Sequence, residues 1–278
     1  MTTADATSQS STLPAGGPGF AATLLSEWTK LRSVRSTYIF IGLAIILSVG
    51  MSALMSLIVG STWEEWPPDQ RAQFNPVLFS LFGSVFFAIL ISVLGVTVVT
   101  NEYSSGMMRL TLTATPRRGR VLMAKVLVIA AVSLVAGAIA TFGMLSVGLA
   151  IFNSYGMESA GLGDEDAVRA MIGVILVSPA YPIVGAAIAV LLRSTAGAIT
   201  AILALIFAPG IFGGLLPAWW QENVLSFVLG PVTDSIAIQH LDDSSLMYLD
   251  FEVAVVALAV WLIAFVGGAY MVLKRRDA

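Results

Sequence analysis

"NEYSSGMMRLTLTATPRRGR", residues 101–120, carries four arginines and one glutamate between two long apolar stretches. The rest of the chain is poor in charge. Of 278 residues, 57% are hydrophobic and 11% charged, and mean hydropathy is +0.89. Soluble domains carry about 25% charged residues. A soluble core of this size could not bury so much apolar side chain, so the bilayer is the expected solvent. The net charge of −3 and the lack of a basic tract give no sign of nucleic-acid binding. With no cysteine there is no disulfide framework and no thiolate metal site.

Working outward from this loop, six charge-free runs read as spans: Thr37–Gly60, Val77–Thr100, Val126–Phe152, Ala170–Leu192, Ser194–Leu216 and Val253–Leu273. Each supplies the ~20 residues that cross a ~30 Å hydrocarbon core as helix. Only Arg193 separates the fourth from the fifth, which predicts a tight helical hairpin. Pro179 and Pro182 are expected to kink the fourth span, and Pro209-Gly210 to break the fifth near its far end. Residues 1–19 lack Lys, Arg and any apolar run, so they read as a disordered tail rather than a signal peptide.

Orientation follows from Lys and Arg. With both termini cytoplasmic, twelve of the fourteen basic residues lie inside and only Arg71 and Arg169 outside. The outer loops are then the acidic ones, and the opening loop is cytoplasmic.

The local grammar of that loop is legible. The second span continues as helix through Glu102 and Tyr103, and Gly106 ends it as a C′ residue. Met107, Met108, Leu110 and Leu112 fit a short interfacial helix. Thr115-Pro116 reads as N-cap and first residue of the third span. Arg117, Arg118 and Arg120 then sit at headgroup level, where they anchor the membrane or dock a partner. Upstream, "LLSEWTKLRSVRS", residues 24–36, places Leu24, Trp28, Leu31 and Arg35 on one helical face, joined by Leu25, with Glu27 and Lys30 facing elsewhere. This is an amphipathic helix along the inner leaflet.

Absences narrow the energy source. None of the six runs contains Asp, Glu, Lys, Arg or His, which argues against a proton-driven carrier. The three lysines follow Thr29, Ala124 and Leu273, so no phosphate-binding Gly-Lys loop exists. The single histidine, His240, lies in an outer segment and carries no metal assignment.

The elbow "EWTKLRS", six spans, and "NEYSSGMMRL…TPRRGRVLMAK" between spans two and three resemble type-2 permeases of ATP-binding-cassette exporters, the type V architecture. Glu-Tyr-x-Ser-Gly followed by Arg is similar to their coupling region; Met107 stands where many members carry Thr. Residues 209–237 look like the re-entrant outer element of that family. The resemblance implies an all-α membrane fold, with a permease domain over residues 20–278 and an elbow helix at 20–36. It implies a half-transporter of a bacterial plasma membrane that pairs with a second permease subunit and docks an ATPase subunit. ATP and Mg²⁺ would belong to that ATPase, and this chain would hold no cofactor and no catalytic residue. Carried over by position, Glu102, Tyr103, Gly106, Arg109, Arg117, Arg118 and Arg120 would couple to the partner. Glu27, Trp28, Lys30 and Arg32 would mark the elbow.

In the family the first, second and fifth spans bound the cavity. Ser52 and Ser56, in a four-residue repeat with Ser48, are candidates to line it, as are Phe82, Phe86 and Phe207. The serine repeat equally suits close helix packing. With no buried counter-charge in the spans, the expected substrate is hydrophobic or amphipathic: a drug, antibiotic or lipid. Trp219 and Trp220 suit the outer interface. A scaffold or sensor that engages a cytoplasmic partner without moving substrate is the competing reading.

Overall fold

A computed structural model describes residues 19–114, 117–157, 160–241 and 245–275; the side chains of Arg109, Leu112 and Ala114 also lie outside the description. The expected tail at 1–19 falls outside it except for Gly19. The described residues are helical, with no strand among them.

The chain opens with α1 (Phe20–Ser33) and α2 (Arg35–Thr62), separated only by the extended Val34. Short helices α3 (Pro68–Ala72) and α4 (Pro76–Ser80) lead into α5 (Ser84–Ser104). Next come α6 (Met107–Ala114), the long α7 (Arg118–Ser154), α8 (Glu165–Val177) and α9 (Ala180–Leu192). The last part holds α10 (Thr195–Phe212), α11 (Ala218–Asn223), α12 (Leu229–Ala237) and α13 (Phe251–Arg275). Grouped by length and apolarity, six segments are able to cross a membrane: Arg35–Glu65, Pro76–Ser104, Arg118–Ser154, Glu165–Leu192, Thr195–Leu215 and Phe251–Arg275.

The side-chain distribution is that of a bilayer protein. Phe152, Ile91, Met144 and Leu145 are sealed inside, while Ile46 and Ile263 are 71% and 73% exposed. Water would penalise such outward aliphatic faces, whereas lipid does not. The fourth span is the central post. It packs against α5, α7, α10 and α13, and Tyr181 through Val190 are all buried.

Close approach depends on small residues. A Cβ on Gly95 would lie 2.2 Å from the Pro182 carbonyl oxygen, so α5 and α9 touch backbone to backbone. Ser48, Ser52 and Ser56 are fully buried. The Ser52 hydroxyl accepts the Gly83 N–H at 3.0 Å, across the α2–α5 seam. Ser52 thus takes part in the close packing that the serine repeat suits, while the Ser56 hydroxyl is buried without a partner among the described residues.

The break expected at Pro179 is present, those expected at Pro182 and Pro209-Gly210 are not, and a further break falls in the second span. The second span is interrupted at Leu81–Gly83. Asn75 starts α4 by accepting from Val77 N and Leu78 N, and the helix restarts at Ser84. In the fourth span the break falls at Ser178-Pro179; Pro182 sits in the first turn of α9, where a missing N–H costs little. In the fifth, α10 runs through Pro209 to Phe212, because the proline lies near the helix end, where few ladder bonds are lost. The expected hairpin is present: Arg193 adopts φ +52° as the cap of α9, and α10 begins at Thr195, with the Ser194 hydroxyl accepting from Gly197 N.

Candidate functional site: a charge junction at the basic end of the bundle

The run that begins at Asn101 does what its residues dictate. α5 continues beyond the apolar stretch to Ser104, carrying Glu102 past the end of the hydrophobic helix. The Ser104 and Ser105 hydroxyls donate to the Asn101 carbonyl in the last turn. Gly106 takes φ +69°, a left-handed conformation that suits glycine and turns the chain directly into α6. Met108, 4% exposed, pins α6 to the bundle. The Thr115-Pro116 start expected for the third span lies outside the described residues, and α7 is described from Arg118 with Arg117 as its N-cap.

Four charged side chains from three helices meet at this end. Lys125 Nζ of α7 donates to Glu27 Oε2 of α1 at 2.5 Å and to Glu102 Oε1 of α5 at 2.8 Å. Lys30 Nζ donates to Glu27 Oε1 at 2.6 Å, to Glu102 Oε1 at 3.3 Å and to Thr111 Oγ1 of α6 at 3.0 Å. Each cation thus bridges both carboxylates, and the cluster is neutral in sum. Glu27, Glu102 and Lys125 are almost wholly buried, and Lys30 is partly so. Buried charges persist only when paired in this manner.

Burial alone would raise the Glu27 carboxyl, but Lys125 and then Lys30 outweigh it and hold it below its ordinary value of 4.5. A lowered carboxylate contributes stability above its unfolded value and loses it as acid reaches the folded one. The stability gap between wild type and Glu27→Gln is therefore expected to stay constant from pH 8 to about pH 5 and to narrow only in stronger acid. Calorimetry of detergent-purified protein measures it.

The apolar face expected along the leaflet is only partly outward in α1, and Glu27 joins Leu31 on the inward side. Thr23, Glu27 and Leu31 are its buried face, while Leu25 and Trp28 are exposed. A helix lying beside a bilayer turns its apolar face to lipid, so its polar face seals against the protein. Lys125 and Thr111 were not singled out as site residues from the sequence. The available signal was the pair of lone carboxylates, Glu27 and Glu102, among the basic segments; both required a cation.

The remaining candidates scatter. Arg118 donates through Nη1 to the Leu273 carbonyl, tying the start of α7 to the end of α13. Arg193 lies over the Tyr103 ring at 5.2 Å. Arg32 and Arg117 are exposed, and Arg120 is half-buried. The Arg109 side chain lies outside the description. Phe82, in the turn before α5, and Phe86, in its first turn, pair at 6.3 Å, and Phe207 lines a cavity at the same end, together with Ser84 and Val85. Trp219 and Trp220 are exposed and pack edge-to-face at 5.6 Å. His240 Nε2 lies 3.3 Å from the Asp166 carbonyl, and the described residues contain no group of three potential ligands.

Six span-length apolar segments, two of them tied to α1 by a buried polar junction, mark a multi-pass membrane protein. Residues 23–210 match the family described as ABC-2 family transporter protein, and the chain belongs to that family of transmembrane subunits. A comparison with curated proteins finds no match.

Proposed function

We propose that this chain is the permease subunit of an ATP-binding-cassette exporter in a bacterial plasma membrane, with both termini cytoplasmic. It moves a hydrophobic or amphipathic substrate outward with ATP hydrolysed, together with Mg²⁺, on a separate ATPase subunit. A second permease subunit completes the pathway. α1 serves as the elbow, α6 as the coupling helix, and α11–α12 as the re-entrant outer element.

The observation that carries this reading is the charge junction. It joins the end of the second span, the start of the third and the elbow through one set of ion pairs, and α6 through the Lys30–Thr111 hydrogen bond. A push on α6 from a cytoplasmic ATPase is thereby delivered to two spans at once. Replacing Glu102 or Arg109 by Ala is expected to lower both substrate efflux and stimulation of the partner's ATPase by about tenfold, a typical coupling loss, at normal expression. Wild-type values for both would overturn the coupling assignment. Failure of any ATPase to co-purify with the chain would favour a scaffold or sensor instead.

A further inference from the structure

A second cavity, of about 340 Å³, opens at the acidic end among α5, α9, α10 and α12. Val85, Ala88, Tyr181, Ile206 and Phe207 make its walls largely apolar and aromatic. Asp234 of α12 also lines it. Along α12, Leu229 through Thr233 and Ser235 through Ala237 are buried, and Asp234 alone is accessible. The helix packs against α8, α10 and α13, so that one accessible side chain opens onto the cavity.

The polar groups nearest to it are engaged with one another. Tyr181 donates its hydroxyl to Thr233 Oγ1 at 2.9 Å, and Thr233 donates to the Gly230 carbonyl at 2.7 Å. Ser235 donates to the Pro231 carbonyl and accepts from Leu249 N. Among the described residues no hydrogen bond or ion pair reaches the Asp234 carboxylate. Among the described residues the carboxylate therefore lacks a cation.

We infer that this cavity binds a lipophilic organic cation, its charge on Asp234 and its apolar body against Phe207, Tyr181 and Val85. A single carboxylate among apolar walls is a poor site for a hydrated metal ion, which needs several oxygen ligands. It suits a large, weakly hydrated cation, which the aromatic faces also attract. The inference deepens the proposed export function by naming a substrate class, and it rests on that function only for calling the ligand a substrate.

The test is equilibrium binding of radiolabelled tetraphenylphosphonium to the full-length chain in nanodiscs, with neutral triphenylphosphine oxide as competitor. Wild type is expected to prefer the cation by about tenfold or more. Asp234→Asn lowers affinity for the cation by about tenfold and leaves the oxide unchanged, and Asp234→Glu retains most of the preference.

Should Asp234→Asn fail to fold, Gly210→Phe decides. A Cβ at Gly210 meets nothing within 4 Å, so the ring has room to enter the cavity and lower affinity for both probes. Equal affinity for cation and oxide, undiminished cation binding in Asp234→Asn, or undiminished binding in Gly210→Phe would overturn the site. Because binding is measured without an ATPase, its loss leaves the export function standing. Intact binding without ATP-driven efflux of the cation would instead count against export.

Discussion

Replacing Lys125 by Met is expected to cost about 3–5 kcal/mol, because it leaves two carboxylates buried without their shared cation. Glu27 and Glu102 both depend on Lys125 Nζ, at 2.5 and 2.8 Å. Lys30 still bridges both, but it is more exposed and reaches Glu102 only at 3.3 Å, so it compensates them incompletely. The two carboxylates then repel, and α1, whose buried face is Thr23, Glu27 and Leu31, loses its principal polar tie to α7. Thermal unfolding of the purified protein should show the loss, and limited proteolysis should cut within residues 20–34. Adding Glu27→Gln and Glu102→Gln to Lys125→Met should recover most of it, because neutral amides in the same space carry no uncompensated charge. An unchanged melting temperature for Lys125→Met alone would show that the junction is not held together by this lysine.

The second large effect is expected at Gly95. A Cβ there would meet the carbonyl oxygen, Cα and carbonyl carbon of Pro182 at 2.2–2.7 Å. All three are backbone atoms, so no side-chain rotation relieves the clash. Gly95→Val must push α5 and α9 apart, and the fourth span is the post on which α5, α7, α10 and α13 rest. Overpacking of this kind costs about 3 kcal/mol or more, well beyond the ~1 kcal/mol gained by removing a helical glycine. Gly50→Ala is the control: its Cβ meets nothing within 4 Å, and it should behave as wild type. Detergent-extracted yield and melting temperature of the two variants check the pair.

The spans were legible because hydropathy and helix length are local properties. So was the stop at Gly106, since a glycine after a polar turn is a local signal. What escaped the sequence depended on tertiary placement. Leu81, Phe82 and Gly83 keep the second span apolar, so its interruption was visible only through the Asn75-Pro76 start upstream. Glu27 was read only as lying off the apolar stripe, and nothing local states that its side of the helix packs on α7. That α12 packs back among α8, α10 and α13 is likewise stated by nothing in its neighbouring residues. At the charge junction, Glu102 stood out as a carboxylate that topology did not require. Its partners came from residues 72 and 23 positions away, Lys30 and Lys125, and pairing at that range has no periodic signature.

The account depends on residues 101–120 facing the cytosol, where an ATPase could act on α6. The chain has no cysteine, so a single Ser105→Cys substitution at the exposed turn before Gly106 reports the side directly, with Gln70→Cys in the first acidic loop as the opposite marker. A membrane-impermeant maleimide applied to intact cells should label Gln70→Cys and leave Ser105→Cys unmodified until the membrane is opened. Labelling of Ser105→Cys in intact cells would contradict the account.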